Sequence, residues 1–289
     1  MRHAALLLCG MMLGACSVES PLLKPDTLPQ QLATGFQFTE GPAFSPDGIL
    51  YFTDIPRHTI HTWSPSHATG VFNSESEGSN GLAFDAQGRL LACQGSGRRL
   101  VRYEKDGSLT VLASHFEGRR FNSPNDLWIH PAGWIYFTDP RYGKRDSMEM
   151  KTEGVYLLKP ESGEILQLID DMVRPNGIVG TPDGRFLYIA DHGGRSTVKY
   201  SLDAQGVPTK KVWSIPRASD GMALDSKGNL YLTDRQVAIY SREGRLLLEI
   251  PIPEDPTNVT FGGKDNRTLF ITARKSVYVI DMNVSGAHR

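Results

Sequence analysis

The stretch from Asn125 to Asp139, NDLWIHPAGWIYFTD, decides the fold. After Asn125 and Asp126 comes the short apolar run Leu127, Trp128 and Ile129, a turn containing Gly133 follows, and a second run of Ile, Tyr and Phe ends on Thr138 and Asp139. Short alternating runs of β-branched and aromatic residues about a Gly-containing turn are the signature of a β-hairpin. Five further segments align with it: EGPAFSPDGILYFTD from Glu40, NGLAFDAQGRLLACQ from Asn80, NGIVGTPDGRFLYIAD from Asn176, DGMALDSKGNLYLTD from Asp220 and TNVTFGGKDNRTLFITA from Thr257. Their second positions, Gly41, Gly81, Asp126, Gly177, Gly221 and Asn258, stand 40, 45, 51, 44 and 37 residues apart. A pattern recurring at such a period marks a repeat architecture, in which no unit buries its apolar faces alone.

Two more short strands follow in most units, for example Gly70 to Phe72, Leu100 to Tyr103, Gly154 to Leu158 and Val198 to Ser201, and no segment has a helical period. Six units of four strands predict an all-β fold, a six-bladed β-propeller. A sandwich of short strands is the rival, but it gives no reason for one pattern to recur six times. The sixth unit runs out near Asp281, so residues 30–38 are expected to supply its outer strand and close the ring. One domain over residues 30–289 follows.

The first residues are of another kind. Arg2, the apolar run Ala4 to Leu8, and then Leu13, Gly14, Ala15 and Cys16 have the layout of a lipoprotein signal peptide over residues 1–15, with a lipid on Cys16. Residues 16–29, rich in proline, are expected to tether the domain, and Ser17 after the cysteine resembles outer-membrane sorting with the protein on the periplasmic side. Cys93 is left without an internal disulfide partner. Lys plus Arg number 31 against 32 Asp plus Glu, so no basic surplus exists to hold nucleic acid. The expected form is a monomer that touches membrane only through its lipid.

In a propeller the first strand of each blade lies nearest the axis, where Gly suits the crowding of six backbones. The residue before it then stands at one height around a central channel: Glu40, Asn80, Asn125, Asn176, Asp220 and Thr257. Two carboxylates and three amides make a hard oxygen-donor set, which suits Ca²⁺ better than zinc or copper. Taken singly, Asn or Asp before Gly is ordinary turn chemistry. Thr257 reads as a wall residue, and Asp126 as a structural partner of neighbouring backbone. Asp54, Asp139, Asp191 and Asp234 recur at the end of the second strand, which points to a turn or inter-blade hydrogen bond.

These segments, together with GRRLVRYEKDGSLTVLA from Gly97 and FEGRRFNSPNDLWIHPAGWIYFTDPRYG from Phe116, resemble the gluconolactonase branch of the regucalcin (senescence marker protein)/gluconolactonase family. The resemblance runs in order over residues 30–284 and is most specific from Arg120 to Gly143. It implies a six-bladed propeller that binds a divalent cation in its channel and hydrolyses sugar lactones. Carried over position by position, the metal ligands are Glu40, Asn125, Asn176 and Asp220. Ca²⁺ is the implied ion, with Mg²⁺, Mn²⁺ or Zn²⁺ as other divalent occupants. One departure concerns substrate: many relatives have Cys-Glu-His-Gly where this chain has Cys93, Gln94, Gly95, Ser96 and Gly97 before Arg98. Related propellers hydrolyse organophosphates, so fold and metal do not fix the substrate.

A cation with open positions can polarise a lactone carbonyl and acidify water. Asp220 is the expected catalytic general base as well as a ligand, and Glu40 a ligand only. Asn80, Arg120 and His192 are the expected substrate contacts on a small-molecule lactone. No GxSxG occurs, which removes support for a Ser-His-Asp triad. The reading from another class is a non-catalytic propeller with a structural metal that binds a sugar or protein.

Overall fold

The computed structural model describes residues 22–288; the expected signal peptide and Cys16 lie outside the described residues. Six four-stranded antiparallel sheets form, five of them meanders in sequence order, and no α-helix occurs among the described residues. The inner strands are Thr39–Phe44, Ser79–Phe84, Leu127–Ile129, Pro175–Gly180, Met222–Leu224 and Pro256–Gly262. Each touches the next and the sixth touches the first, so the chain is a six-bladed β-propeller as the repeat predicts.

Ring closure follows the expectation over a shorter span. Gln30–Thr34 pairs antiparallel with Ser276–Asp281 as the fourth strand of the sixth sheet. It ends at Thr34 because Gly35 turns to a φ of +98° and the Gln37 and Phe38 N–H groups bond the Asp54 carboxylate instead. The expected tether also ends in packed structure. Leu22 is buried against a cluster holding Tyr231, Val259 and Leu269, and Leu23 bridges Met282.

Neighbouring blades share their cores. Trp128 and Tyr136 of the third blade pack in one cluster with Ile178 and Leu187 of the fourth and Met222 and Leu224 of the fifth. Each such side chain contributes about 1.5–3 kcal/mol by leaving water. The Thr of the repeated Thr-Asp pair supplies the inter-blade hydrogen bond. The hydroxyls of Thr53, Thr138 and Thr233 donate to the carbonyls of Asn80, Asn176 and Thr257 in the next blade, at 3.2, 2.7 and 2.7 Å.

The Asp of that pair does something local. Asp54, Asp139 and Asp191 each accept N–H groups from the loop that enters their own inner strand, at Gln37 and Phe38, Asn122 and Ser123, and Val173 and Arg174 respectively. Asp234 departs from the expected recurrence. It is exposed, and in that blade the Ser219 hydroxyl accepts the Thr233 N–H at 2.9 Å.

Candidate active site

The ring residues are aimed at the channel by irregularities that the repeat builds in. In the first, second, fourth and sixth blades the inner strand slips register at the ring residue, between Glu40 and Ala43, Ser79 and Leu82, Pro175 and Ile178, and Pro256 and Asn258. Such bulges bend a strand and redirect its side chains. In the third and fifth blades the ring residue precedes the strand, held by Asn125 N–H to the Thr138 carbonyl at 2.9 Å and Asp220 N–H to the Thr233 carbonyl at 2.8 Å. Glycine is required beside them: a Cβ on Gly41 would lie 1.9 Å from the Asn80 carbonyl oxygen, and one on Gly177 2.4 Å from that of Asp220.

Two blades put a polar side chain where the others have Gly, and these form a floor. Asp126 lies against Gly81 and accepts the Leu127 N–H at 2.9 Å and the Ile178 N–H at 3.4 Å, the structural role its sequence predicts. Asn258 lies against Gly221 and donates to Glu40 Oε2 at 3.0 Å. Below this floor the channel widens into a cavity of about 1180 Å³ lined by Trp128, Ile178, Met222 and Phe261, to which none of the ring residues contributes.

Above the floor, Glu40 is 3% exposed and its Oε2 accepts the Gly41 N–H at 2.7 Å. Thr257 is a wall residue as expected, its hydroxyl donating to the Thr39 carbonyl at 2.7 Å. Asn176 Nδ2 donates both hydrogens, to Asp220 Oδ1 and to the Tyr142 hydroxyl, each at 2.6 Å. That pins the amide, and Asn176 Oδ1 bonds no described residue. Asn125 is 8% exposed and its amide bonds no described residue. Burial, then the Asp220 charge, pushes Glu40 well above the ordinary carboxylate range. Burial raises Asp220 too, against the pull of the His192 charge and the Asn176 bond, and raises Asp126 to about 7.

The expected substrate contacts divide. His192 stands at the rim: its charge acts on Asp220 and its ring packs edge-on to Tyr142, centroids 6.1 Å apart. Asn80 holds its ring position with a side chain that bonds no described residue, while its carbonyl accepts from Thr53. Arg120 belongs to a separate cluster on the hairpin His115–Phe116 and Arg119–Arg120, where its guanidinium donates to the Gly97 carbonyl at 3.2 Å and its N–H to Glu149 at 3.0 Å. At the Gln94 departure, Gln94 Oε1 accepts from Arg99 Nε at 2.6 Å. Sequence reasoning missed Tyr142 and Arg174, whose guanidinium lies 5.0 Å from the Tyr142 ring. Their signals were the Arg-Tyr-Gly after Asp139 and the Arg-Pro before Asn176.

Do these residues fit a cation? Among the described residues no group of three or more His, Cys, Asp and Glu converges as a metal cluster. The ring instead offers two carboxylates and neutral amide oxygens. Neither Glu40 nor Asp220 is ion-paired to a described Lys or Arg, and a half-buried amide without a partner costs about 1–3 kcal/mol. Two buried carboxylates beside unused amide oxygens are what a hard cation would satisfy. The residues fit.

The sequence profile described as the SMP-30/Gluconolactonase/LRE-like region matches residues 38–275. A gluconolactonase of Zymomonas mobilis is 29% identical, the match covering 93% of this chain and 86% of the relative. The structure of a gluconolactonase from Xanthomonas campestris superposes with a TM-score of 0.83 at 28% identity, covering 89% of this chain and 90% of that one. Regucalcin, a calcium-binding protein of Agrobacterium tumefaciens, shares the fold at 23% identity with a TM-score of 0.75, over 90% of this chain and 95% of its own.

Proposed function

The chain belongs to the SMP-30/gluconolactonase/LRE-like family and is a lactone hydrolase, and from that premise we propose that it opens a sugar-type lactone at a divalent cation held by Glu40, Asn125, Asn176 and Asp220. One observation carries the reading: burial raises both carboxylates, the Asp220 charge raises Glu40 further, no described Lys or Arg is ion-paired to either, and pinned or free amides stand beside them. All donors are oxygen, which supports Ca²⁺.

When bound, the cation would supply Lewis acidity to the lactone carbonyl. Asp220 is the general base. Asn176 fixes it through Oδ1, which leaves Oδ2 to take a proton from water as the oxygen attacks the carbonyl carbon. Burial makes Asp220 a stronger base, which offsets the depression a bound cation brings. The acyl to ring-oxygen bond then breaks, the proton passes to the departing ring oxygen, and a hydroxy acid leaves. Glu40, fixed by Gly41 and Asn258, holds charge and does not move a proton.

The test is turnover on a panel of aldonolactones before and after chelation, with Ca²⁺ added back. Rates unaffected by chelator would remove the cation from the reaction. No turnover on any lactone would leave a propeller whose metal is structural. We further propose that Cys16 is lipidated and holds the enzyme on the periplasmic side of the outer membrane, a reading supported by Leu13, Gly14 and Ala15 before it. No helix among the described residues is long and apolar enough to cross a membrane.

A further inference from the structure

We propose that Arg174 and His192, packed about Tyr142 at the rim of the channel, form an anion subsite, so that the preferred substrate is a lactone carrying a carboxylate or phosphate remote from its carbonyl. The inference rests on the lactone hydrolase reading and names its substrate class.

Both side chains are fixed by their backbone. The Arg174 N–H is clamped to Asp191 Oδ1 at 3.0 Å, and the His192 N–H donates to the Arg174 carbonyl at 3.0 Å, which holds the two residues next to each other. Arg174 is two residues before Asn176, and His192 follows the last residue of Phe186–Asp191 in the same blade. Tyr142 links them to the ring, its hydroxyl bonded by Asn176 at 2.6 Å.

What sets them apart is unused donor capacity. Arg174 is half-buried, yet among the described residues its guanidinium meets no carboxylate or carbonyl; its one described neighbour is the Tyr142 ring, and Nε is buried without a partner. His192 is half-buried too, neither ring nitrogen bonds a described residue, and Nδ1 is buried. Four other arginines are bonded elsewhere: Arg57 on the Gly35 carbonyl, Arg98 on Phe121 and Glu149, Arg141 on Asn122 and Lys144, and Arg274 on Asp255, while Arg195 in the same turn is exposed. A planar guanidinium stacked on an aromatic face is preorganised for a bidentate oxyanion. With a divalent cation held at the ring the acidic centre would be neutralised, and the Arg174 guanidinium, ion-paired to no described carboxylate, would give the rim a positive field that favours an anion.

The test compares kcat/KM for glucono-1,5-lactone with those for 6-phosphogluconolactone and a glucaric acid monolactone, at saturating Ca²⁺. The wild type is expected to favour at least one anionic lactone by about tenfold or more, the size of a charge-assisted hydrogen bond. The phosphate and carboxylate arms distinguish which anion the subsite takes. Arg174→Gln should bring the anionic to neutral ratio close to one, mainly through KM, and Arg174→Lys should keep part of it. Equal kcat/KM for neutral and anionic lactones in the wild type would overturn the proposal. So would an Arg174→Gln loss shared equally by all three substrates, since Arg174 would then only support Tyr142. A binding arm separates the two readings. Calorimetry with 6-phosphogluconate and glucarate should show binding that Arg174→Gln and His192→Gln weaken. If no lactone is turned over but this binding holds, the hydrolase reading falls and the subsite stands; if neither is seen, both fall.

Discussion

Calcium binding should be coupled to proton release, and the coupling follows from the ring. Glu40 and Asp220 are both raised by burial, and Glu40 also by the charge of Asp220. The chelated protein therefore keeps a proton on the pair over a range of pH in which an ordinary carboxylate is ionised. A cation must displace it. Displacing one proton makes apparent affinity rise tenfold per pH unit, about 1.4 kcal/mol, until pH passes the raised values. The sign for stability is opposite without metal. In that window the folded chain binds a proton that the unfolded chain has lost, so the chelated protein weakens as pH rises above the ordinary carboxylate range. Saturating Ca²⁺ should flatten the dependence. The assay is calorimetric titration of chelated protein with Ca²⁺ from pH 5 to 8 in buffers of different ionisation enthalpy, which counts the protons released. Glu40→Gln should weaken binding and lower the proton count. A Kd independent of pH, with no buffer dependence, would refute the argument, because the two carboxylates would then be fully ionised without the metal.

Three further outcomes are expected. Asp220→Asn keeps an oxygen of the same shape at the ring, so at saturating Ca²⁺ lactone turnover should fall by ~10²-fold or more while the site still fills; parent-like turnover at full occupancy would mean that another group accepts the proton. Thr138→Val removes the hydroxyl that bonds the Asn176 carbonyl at 2.7 Å and strands that carbonyl, which should cost about 1–3 kcal/mol in denaturant unfolding and weaken Ca²⁺ binding; an unchanged midpoint would show that the inter-blade bond contributes nothing. Cys16→Ser should shift the protein from the membrane fraction to a soluble or uncleaved form, and membrane retention of a normally cleaved product would count against lipidation.

The repeat made most of the ring legible before any coordinate was known. Once six hairpins align, equivalent residues share a height, so Glu40, Asn125, Asn176 and Asp220 could be grouped without knowing a single distance. Asp126 was legible for the same reason, as a polar side chain where the register calls for Gly. Tyr142 and Arg174 were not, because they sit in connections between strands, whose lengths differ from blade to blade and have no register to align. The repeated Thr-Asp pair was half legible. Recurrence flagged it, but only geometry shows that Thr53, Thr138 and Thr233 bond across blades while Asp54, Asp139 and Asp191 bond within them. Arg120 and Gln94 make bonds that no spacing in the sequence foretells. The Arg120 guanidinium donates to the Gly97 carbonyl, and Gln94 Oε1 accepts from Arg99.

The buried Leu22 has a consequence for how the enzyme would stand on a membrane. Leu22 and Leu23 are fastened at Met282 and Asn283, just past the strand end that pairs Asp281 with Thr268, on the face opposite Glu40 and Tyr142. Cys16 and Leu22 are six residues apart, a reach of at most about 22 Å for a fully extended chain. A lipid on Cys16 would therefore act as a short leash that keeps that face toward the bilayer and turns the channel mouth outward. Accessibility of single cysteines to a membrane-impermeant thiol reagent in vesicles, one placed at Arg119 and one at Lys264, would read this posture directly: labelling at Lys264 as fast as at Arg119 would contradict it. Substrates would then reach the enzyme from the aqueous space, without passing along the lipid surface.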